Sequence, residues 1–369
     1  MTPADLFPGE VLGAARPEGA PDAPLVVAPD GIEQAAAVLL TASERGMTVC
    51  PWGGGTHQGY GGRIETDLIL STARLDRMVD WQPDDLTVTV EAGMKVADLE
   101  STLAERGQSA MLPELPGAAT VGGVLAAGVS GWRRARYGPT RERVLEIDLV
   151  TGDGRHVRAG ARVVKNVTGF DLPRLAAGSL GRLGLIARVC LKLWPLPETR
   201  ATVAVEDGDA ALQAAYRPTA IVETNGAAKV FLGGTAAEVS DQARTLKGDQ
   251  TPGWTWDPEP TGAIRWSLRV PPASMRAAIE RLPATWRYQA GLGVGELRGS
   301  STTADGAPEM RAWAESVGGG LVLVDGPGSV YGELGAWGTP PASLEIQRRL
   351  VQQFDPDRVM NPGRLPGGL

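Results

Sequence analysis

The chain has 369 residues, 43% of them hydrophobic, with a net charge of −7 and a pI near 5.1. That length predicts two domains, or one with an insertion, and enough apolar material for a sizeable core. The acidic balance argues against a nucleic-acid partner, which rewards clustered Lys and Arg, although local clusters such as Arg133, Arg134 and Arg136 are candidate anion sites.

Cys50 and Cys190 are the only cysteines and stand far apart in apolar, strand-like surroundings. Without a CxxC pair the chain's thiols build no zinc or iron–sulfur site, and both read as buried small hydrophobes. The N-terminal stretch "MTPADLFPGEVLGAARPEGA" has no basic region ahead of an apolar core, and no apolar run approaches 18 residues. The expectation is a cytoplasmic protein without a membrane span, peripheral to the inner membrane only through partner subunits.

In chain order, "PLVVAP" (24–29) predicts a strand and 31–46 an amphipathic helix closed by Gly46. A strand over 47–52 runs into "GGGTHQGYGG". Strands follow at 67–70 and 86–93, then a helix over 94–107, a second glycine-rich stretch at 116–131, a hairpin over 143–160 and a long apolar strand over 181–195. Beyond 200 strand-like and helix-like runs alternate, and six of the ten tryptophans gather there, Trp254, Trp256, Trp266, Trp286, Trp313 and Trp337. This predicts an α+β domain with an antiparallel sheet, whose tryptophans suit either a core or a docking face. A helix over 343–354 leads into "DPDRVMNPGRL".

Two stretches carry chemistry. Gly53, Gly54 and Gly55 with Thr56 directly after a strand read either as a mobile loop or as an anion nest of backbone N–H groups. The stretch is neither a Walker loop nor GxGxxG. "GAATVGGVLAAGVSG" reads either as a tightly packed helix or as a wall of small residues beside a large flat ligand. Adding a side chain at Gly54 is expected to fill the space a diphosphate needs.

Taken with "RYGPTRERVLEIDLVTGDG", "KNVTGFDLPRLAAGSLGRLGLI" and "FDPDRVMNPGRL", these stretches make the chain resemble flavoproteins of the vanillyl-alcohol oxidase and p-cresol methylhydroxylase class. Within that class it is most similar to the FAD-binding E subunits of bacterial glycolate oxidases. The resemblance covers 24–200 and 343–366. It implies an α+β fold with an FAD-binding domain over 1–197, a smaller α+β cap domain over 198–342 and a return of 343–369 to the first domain.

The resemblance also implies site roles. Gly53, Gly54, Gly55 and Thr56 would hold the FAD diphosphate, with His57 and Gln58 at the edge of the loop. Pro116 to Gly128, especially Gly117, Thr120, Gly122, Gly123 and Gly128, would lie against the flavin and its phosphates. Tyr137 and Gly138 would line the cleft; Gly181, Gly184 and Ile186 would meet the adenine side; Asn361 would sit by the polar edge of the ring. The histidine that tethers FAD in some members follows the paired glycines directly. Here that position is Thr56, so the FAD is expected to be non-covalent.

Related catalytic flavoproteins carry a histidine cluster in the cap that can hold a metal. Residues 157–369 contain no histidine, so no such metal site is expected and no catalytic residue is assigned. Arg265, Arg269, Arg287 and Arg298 remain candidates for carboxylate binding, Tyr288 and Glu296 for a base, and Lys165 and Asp171 for the cleft. The resemblance implies a paralogous catalytic flavoprotein and an iron–sulfur subunit as partners, with glycolate oxidised to glyoxylate at the level of the complex. A self-sufficient FAD oxidoreductase and a structural subunit with a vestigial FAD fold are the alternatives.

Overall fold

The apolar runs near the N-terminus fold into a β-α-β unit. A computed structural model describes Phe7, Leu12–Gly13, residues 16–17, 19–162 and 169–369. It divides into two compact units, one of residues 1–130, 139–195 and 340–369, the other of 131–138 and 196–339.

In the first unit β1 (Leu12–Gly13), β2 (Leu25–Ala28), α1 (Ile32–Glu44), β3 (Val49–Trp52) and β4 (Leu68–Ser71) come first. Their sheet has the order β1-β2-β4-β3, with β2 and β3 parallel to β4. Helix α1 buries Ile32, Ala35, Val38, Leu39 and Ala42, the 3–4 residue spacing of one helical face, and ends ahead of Gly46 at φ +65°. Next come β5 (Met78–Gln82), β6 (Thr87–Glu91), α2 (Val96–Ala104), β7 (Gln108–Ser109) and α3 (Val121–Ala127). They are followed by the hairpin β8 (Val144–Val150) and β9 (His156–Gly160), then α4 (Leu172–Ala176), β10 (Leu185–Lys192) and β11 (Trp194–Pro195). The second sheet is antiparallel throughout in the order β5-β6-β10-β8-β9.

Strand β10 begins at Leu185 rather than at 181. Leu180, Gly181 and Gly184 have φ of +53°, +73° and +142°, and a chain at positive φ turns instead of extending. The C-terminal helix Leu344–Phe354 ends at Asp355. Beyond it the backbone returns to the edge of the first sheet: Val49 donates to the Val359 carbonyl at 2.7 Å and Asn361 donates to the Val49 carbonyl at 3.0 Å.

The second unit is built on an antiparallel sheet of eight strands from β12 (Thr199–Val205) to β19 (Gly320–Asp325). Its core joins Val203, Val230, Trp266, Leu268, Leu297 and Leu323 of the strands to Val239, Met275, Met310 and Ala314 of the helices. Residues 131–138, read in sequence with the first domain, belong to this unit. Trp132 packs with Ala220, Val222 and Phe231, Arg134 pairs with Glu296 at 2.9 Å, and Arg136 donates to the carbonyls of Arg217 and Gly233 at 2.7 and 3.1 Å. The guanidinium of Arg133 lies over the Trp254 ring. The arginine cluster therefore fastens this segment to its own unit instead of presenting an anion site.

None of the six tryptophans beyond 200 is exposed. Trp266 and Trp286 are buried with ring centroids 4.8 Å apart, Trp256 stacks on Phe231 at 3.8 Å, and the Trp254 indole N–H donates to the Leu232 carbonyl at 2.7 Å. The aromatic payload goes into packing, which, of the two readings, favours the core.

Candidate functional site

Strand β3 carries the chain to Trp52, and the glycine loop then turns along the wall of a cleft. Gly53, Gly54, Gly55, Thr56, His57 and Gln58 all line it. Among the described residues the backbone N–H groups of Gly53 to Thr56 have no hydrogen-bond acceptor. Four consecutive donors without an acceptor, in residues that line the cleft, are a donor set that suits an anion. Thr56 Oγ1 lies 2.8 Å from His57 Nδ1, and Gln58 is held by its Nε2 donating to the Pro51 carbonyl at 3.1 Å.

The glycines are required for a reason other than the expected one. A Cβ on Gly54 would lie 1.5 Å from the Ala118 carbonyl oxygen, and one on Gly53 would lie 2.3 Å from Thr120 Oγ1. The missing side chain of Gly54 makes room for the Ala118 carbonyl, main chain against main chain, and that of Gly53 makes room for the Thr120 side chain. Gly122 does the same against Ala92, where a Cβ would come within 2.5 Å of the alanine methyl.

In the second glycine-rich stretch a helix forms part of the cleft wall. Thr120 caps α3, its hydroxyl accepting from the Gly123 N–H at 3.2 Å, and Gly128 closes the helix at φ +65°. Gly122, Gly123, Ala126 and Ala127 line the cleft. Pro116, Gly117, Thr120 and Gly128 do not. Thr120 and Gly128 shape the helix ends, while a Cβ on Gly117 would meet nothing within 4 Å. Tyr137 and Gly138 belong to the second unit, and burial pushes the Tyr137 phenol up.

Gly181, Gly184, Ile186 and Asn361 line the cleft. Asn361 is 2% exposed and adopts φ +43°. Its Nδ2 donates to the Leu180 carbonyl at 2.7 Å, which turns the amide so that Oδ1 is left buried without a partner among the described residues. An orphaned buried acceptor is unfavourable by about 1–3 kcal/mol unless something donates to it. Sequence reasoning missed Arg364, 4% exposed and the only formally charged side chain among the residues lining the cleft. Its signal was its place in "NPGR" beside Asn361. Pro51, Trp52, Thr72, Ala92, Leu180 and Leu185 complete the wall and were also missed.

Cys50 lies at the base of β3, fully buried, and burial pushes its thiol up to about 11. Because the thiolate is the reactive form, Cys50 is expected to resist Ellman's reagent at pH 8 in the native protein and to react once unfolded. Rapid native labelling at Cys50 would contradict this burial.

Glu296, Tyr288, Arg265 and Arg298 are held in structural pairs within the second unit. Glu296 is clamped by Arg134 and Arg298. Burial alone would raise its carboxyl, but Arg298, Arg269 and Arg134 hold it below the ordinary glutamate value. Burial and the Glu223 carboxylate, which accepts from its hydroxyl at 2.8 Å, push the Tyr288 phenol well above the tyrosine range. Neither group is a proton acceptor near neutral pH. Arg265 pairs with Asp325 and Arg298 with Glu259 and Glu296, whereas Arg269 and Arg287 are exposed. Asp171 caps α4 by accepting from the Arg174 N–H, and Lys165 lies outside the described residues. Among the described residues no cluster of His, Cys, Asp and Glu could hold a metal ion.

The cleft thus offers open amide donors, one cation, one unsatisfied acceptor and a wall of small residues, a donor set that fits an elongated ligand carrying a diphosphate and a flat ring with N–H groups. Residues 23–160 match the FAD binding domain family FAD_binding_4. Among curated proteins, the chain is 28% identical to glycolate oxidase subunit GlcE of Escherichia coli over 85% of this chain and 91% of that one. It is 32% identical to glycolate oxidase subunit GlcD of Bacillus subtilis and 34% identical to a D-lactate dehydrogenase of Archaeoglobus fulgidus, over 52% and 46% of this chain. It spans less than half of those two relatives, 42% and 39% of their lengths. Among solved structures an alkyldihydroxyacetonephosphate synthase shares the fold with TM-score 0.66 at 15% identity, over 92% of this chain and 76% of that one. Residues 23–160 thus form an FAD binding domain of the FAD_binding_4 family, in a chain similar to glycolate oxidase subunits.

Proposed function

We propose that this chain is the FAD-binding subunit of a multi-subunit dehydrogenase complex that oxidises glycolate, or a closely related 2-hydroxy acid, to the 2-oxo acid. In this reading it supports electron transfer or assembly, and a paralogous flavoprotein subunit carries the substrate chemistry. An iron–sulfur subunit would take the electrons onward, since the chain's two cysteines cannot hold a cluster. The observation that carries the reading is the cleft itself, together with similarity along nearly the whole length of GlcE.

When bound, the flavin supplies a two-electron acceptor that can release its electrons singly. The chain's own residues bind and orient it. The amides of Gly53 to Thr56 would hold the diphosphate, and Arg364 would add positive charge in the cleft, acting more strongly than in water. Asn361 Oδ1 would accept from a donor of the ring, and the alanine and glycine surface of α3 would let the ligand approach closely. With no histidine beyond His156, and Tyr288 and Glu296 tied into pairs, the second unit offers no group poised to take the hydroxyl proton.

The test is the anaerobic visible spectrum of the purified chain before and after glycolate or D-lactate. A flavin band that stays unbleached until the partner subunits are added is the expected result; bleaching by the isolated chain would overturn the supporting role. Acid precipitation should release all flavin into the supernatant, because Thr56 stands where a tethering histidine would. Yellow colour in the pellet would contradict non-covalent binding.

A further inference from the structure

The last wall of the cleft comes from a segment remote in sequence, and one ion pair holds it there. Arg182 and Asp355 are each 1% exposed and joined through Nη1 and Oδ2. The same Nη1 donates to the Met360 carbonyl at 3.0 Å. The two carboxylate oxygens of Asp355 accept from the Val359 and Met360 N–H groups at 2.8 and 3.1 Å. Residues 359–360 are therefore gripped by the ion pair, and Val49 takes Val359 and Asn361 from the strand side. Asn361, the next residue, has no freedom left: its backbone is fixed at Val49 and its Nδ2 at Leu180.

Arg182 stands in the turn that contributes Leu180, Gly181 and Gly184 to the cleft, and Asp355 stands at the start of the segment that contributes Asn361 and Arg364. A single buried pair thus locks two walls together, and both walls meet at the orphaned Asn361 Oδ1. Satisfying that oxygen favours the docked segment, and docking the segment presents the oxygen. Each event lowers the free energy of the other, which is the condition for reciprocal coupling.

We propose that Arg182 and Asp355 are positioning residues that act through Asn361 to couple cofactor binding to docking of residues 355–364. The proposal rests on the reading of the cleft as the FAD site. A merely structural pair would change stability but would leave the contribution of Asn361 to affinity untouched.

The experiment is a double-mutant cycle on FAD affinity in the full chain, read by quenching of flavin fluorescence. Asp355→Asn is expected to weaken FAD binding between about 5- and 150-fold, the usual span of a coupling between sites. In an Asn361→Ala background the same substitution should cause no further loss, because the route through Asn361 is already gone. Arg182→Lys, which keeps the charge beside Asp355, should retain most of the affinity. Equal losses from Asp355→Asn in both backgrounds would overturn the proposal.

Hydrogen exchange on the unaltered chain gives an independent test should Asp355→Asn not fold. Adding FAD should slow exchange at the Val359 and Met360 amides, and unchanged rates there would overturn the coupling. A wild-type chain that takes up no FAD at all would instead defeat the cofactor reading, so the two failures are told apart.

Discussion

Gly54→Val is expected to purify colourless, with flavin absorbance lost relative to protein. Gly54 is not at positive φ, so valine is not excluded by backbone conformation. It is excluded by crowding: the new Cβ would come 1.5 Å from the Ala118 oxygen and 2.4 Å from its carbonyl carbon. Overpacking against mobile side chains typically costs about 1–3 kcal/mol, and a main-chain carbonyl cannot rotate away as a side chain does. The glycine loop and the 116–120 stretch must then separate, and the open amides of Gly53 to Thr56 are no longer aligned. Gly117→Ala is the matched control. It lies in the same stretch, has no positive φ, and its Cβ would meet nothing within 4 Å, so full flavin content is expected. Stoichiometric FAD in Gly54→Val would move the diphosphate site elsewhere.

The second large effect is expected on stability. Arg182→Ala leaves the buried Asp355 carboxylate without its counter-charge, a change that destabilises by about 3–5 kcal/mol. Burial raises the Asp355 carboxyl and Arg182 opposes that rise, so removing the arginine lifts it further. A folded-state value above the unfolded one means that the folded state binds the proton more tightly. Stability is then greatest below the unfolded value and falls as pH rises towards the folded one. The deficit of Arg182→Ala relative to wild type should accordingly be largest at neutral pH and shrink on acidification, measured by urea unfolding from pH 4 to 8. A deficit independent of pH would show that Asp355 is not the group left stranded.

Much of this architecture is legible from short-range rules. The 3–4 spacing in α1, the positive-φ glycines at its end and in the site loop, and the Thr-Gly-Asp-Gly turn between β8 and β9 report on neighbours a few residues away. The glycine loop, Gly122, Gly123, Gly181, Gly184, Ile186 and Asn361, which line the cleft, stand in motifs that keep local order. Arg182 was invisible for the opposite reason. An arginine inside "SLGRLGL" reads as an interruption of an apolar run, and its partner lies 173 residues on. Leu180 could not be foreseen at φ +53°, since leucine has no preference for that region. The 131–138 arginines misled in another way, and the tryptophans left a core and a docking face open, because their partners, Phe231, Glu296 and the carbonyls of Arg217 and Gly233, are supplied by tertiary packing.

The edge of the first sheet has a consequence for self-association. On its outer side β3 presents residues 49 and 51, because Thr48 and Trp52 face β4 through their carbonyls. Pro51 has no N–H to offer, and its carbonyl is already taken by Gln58. Val49 alone keeps a donor and an acceptor, and both are used by Val359 and Asn361. An open strand edge is a template for any passing chain, but this one has a single rung. It admits a short segment in one register and gives an intruding strand nothing further to zip along, so even with residues 359–361 undocked β3 is a poor seed for aggregation.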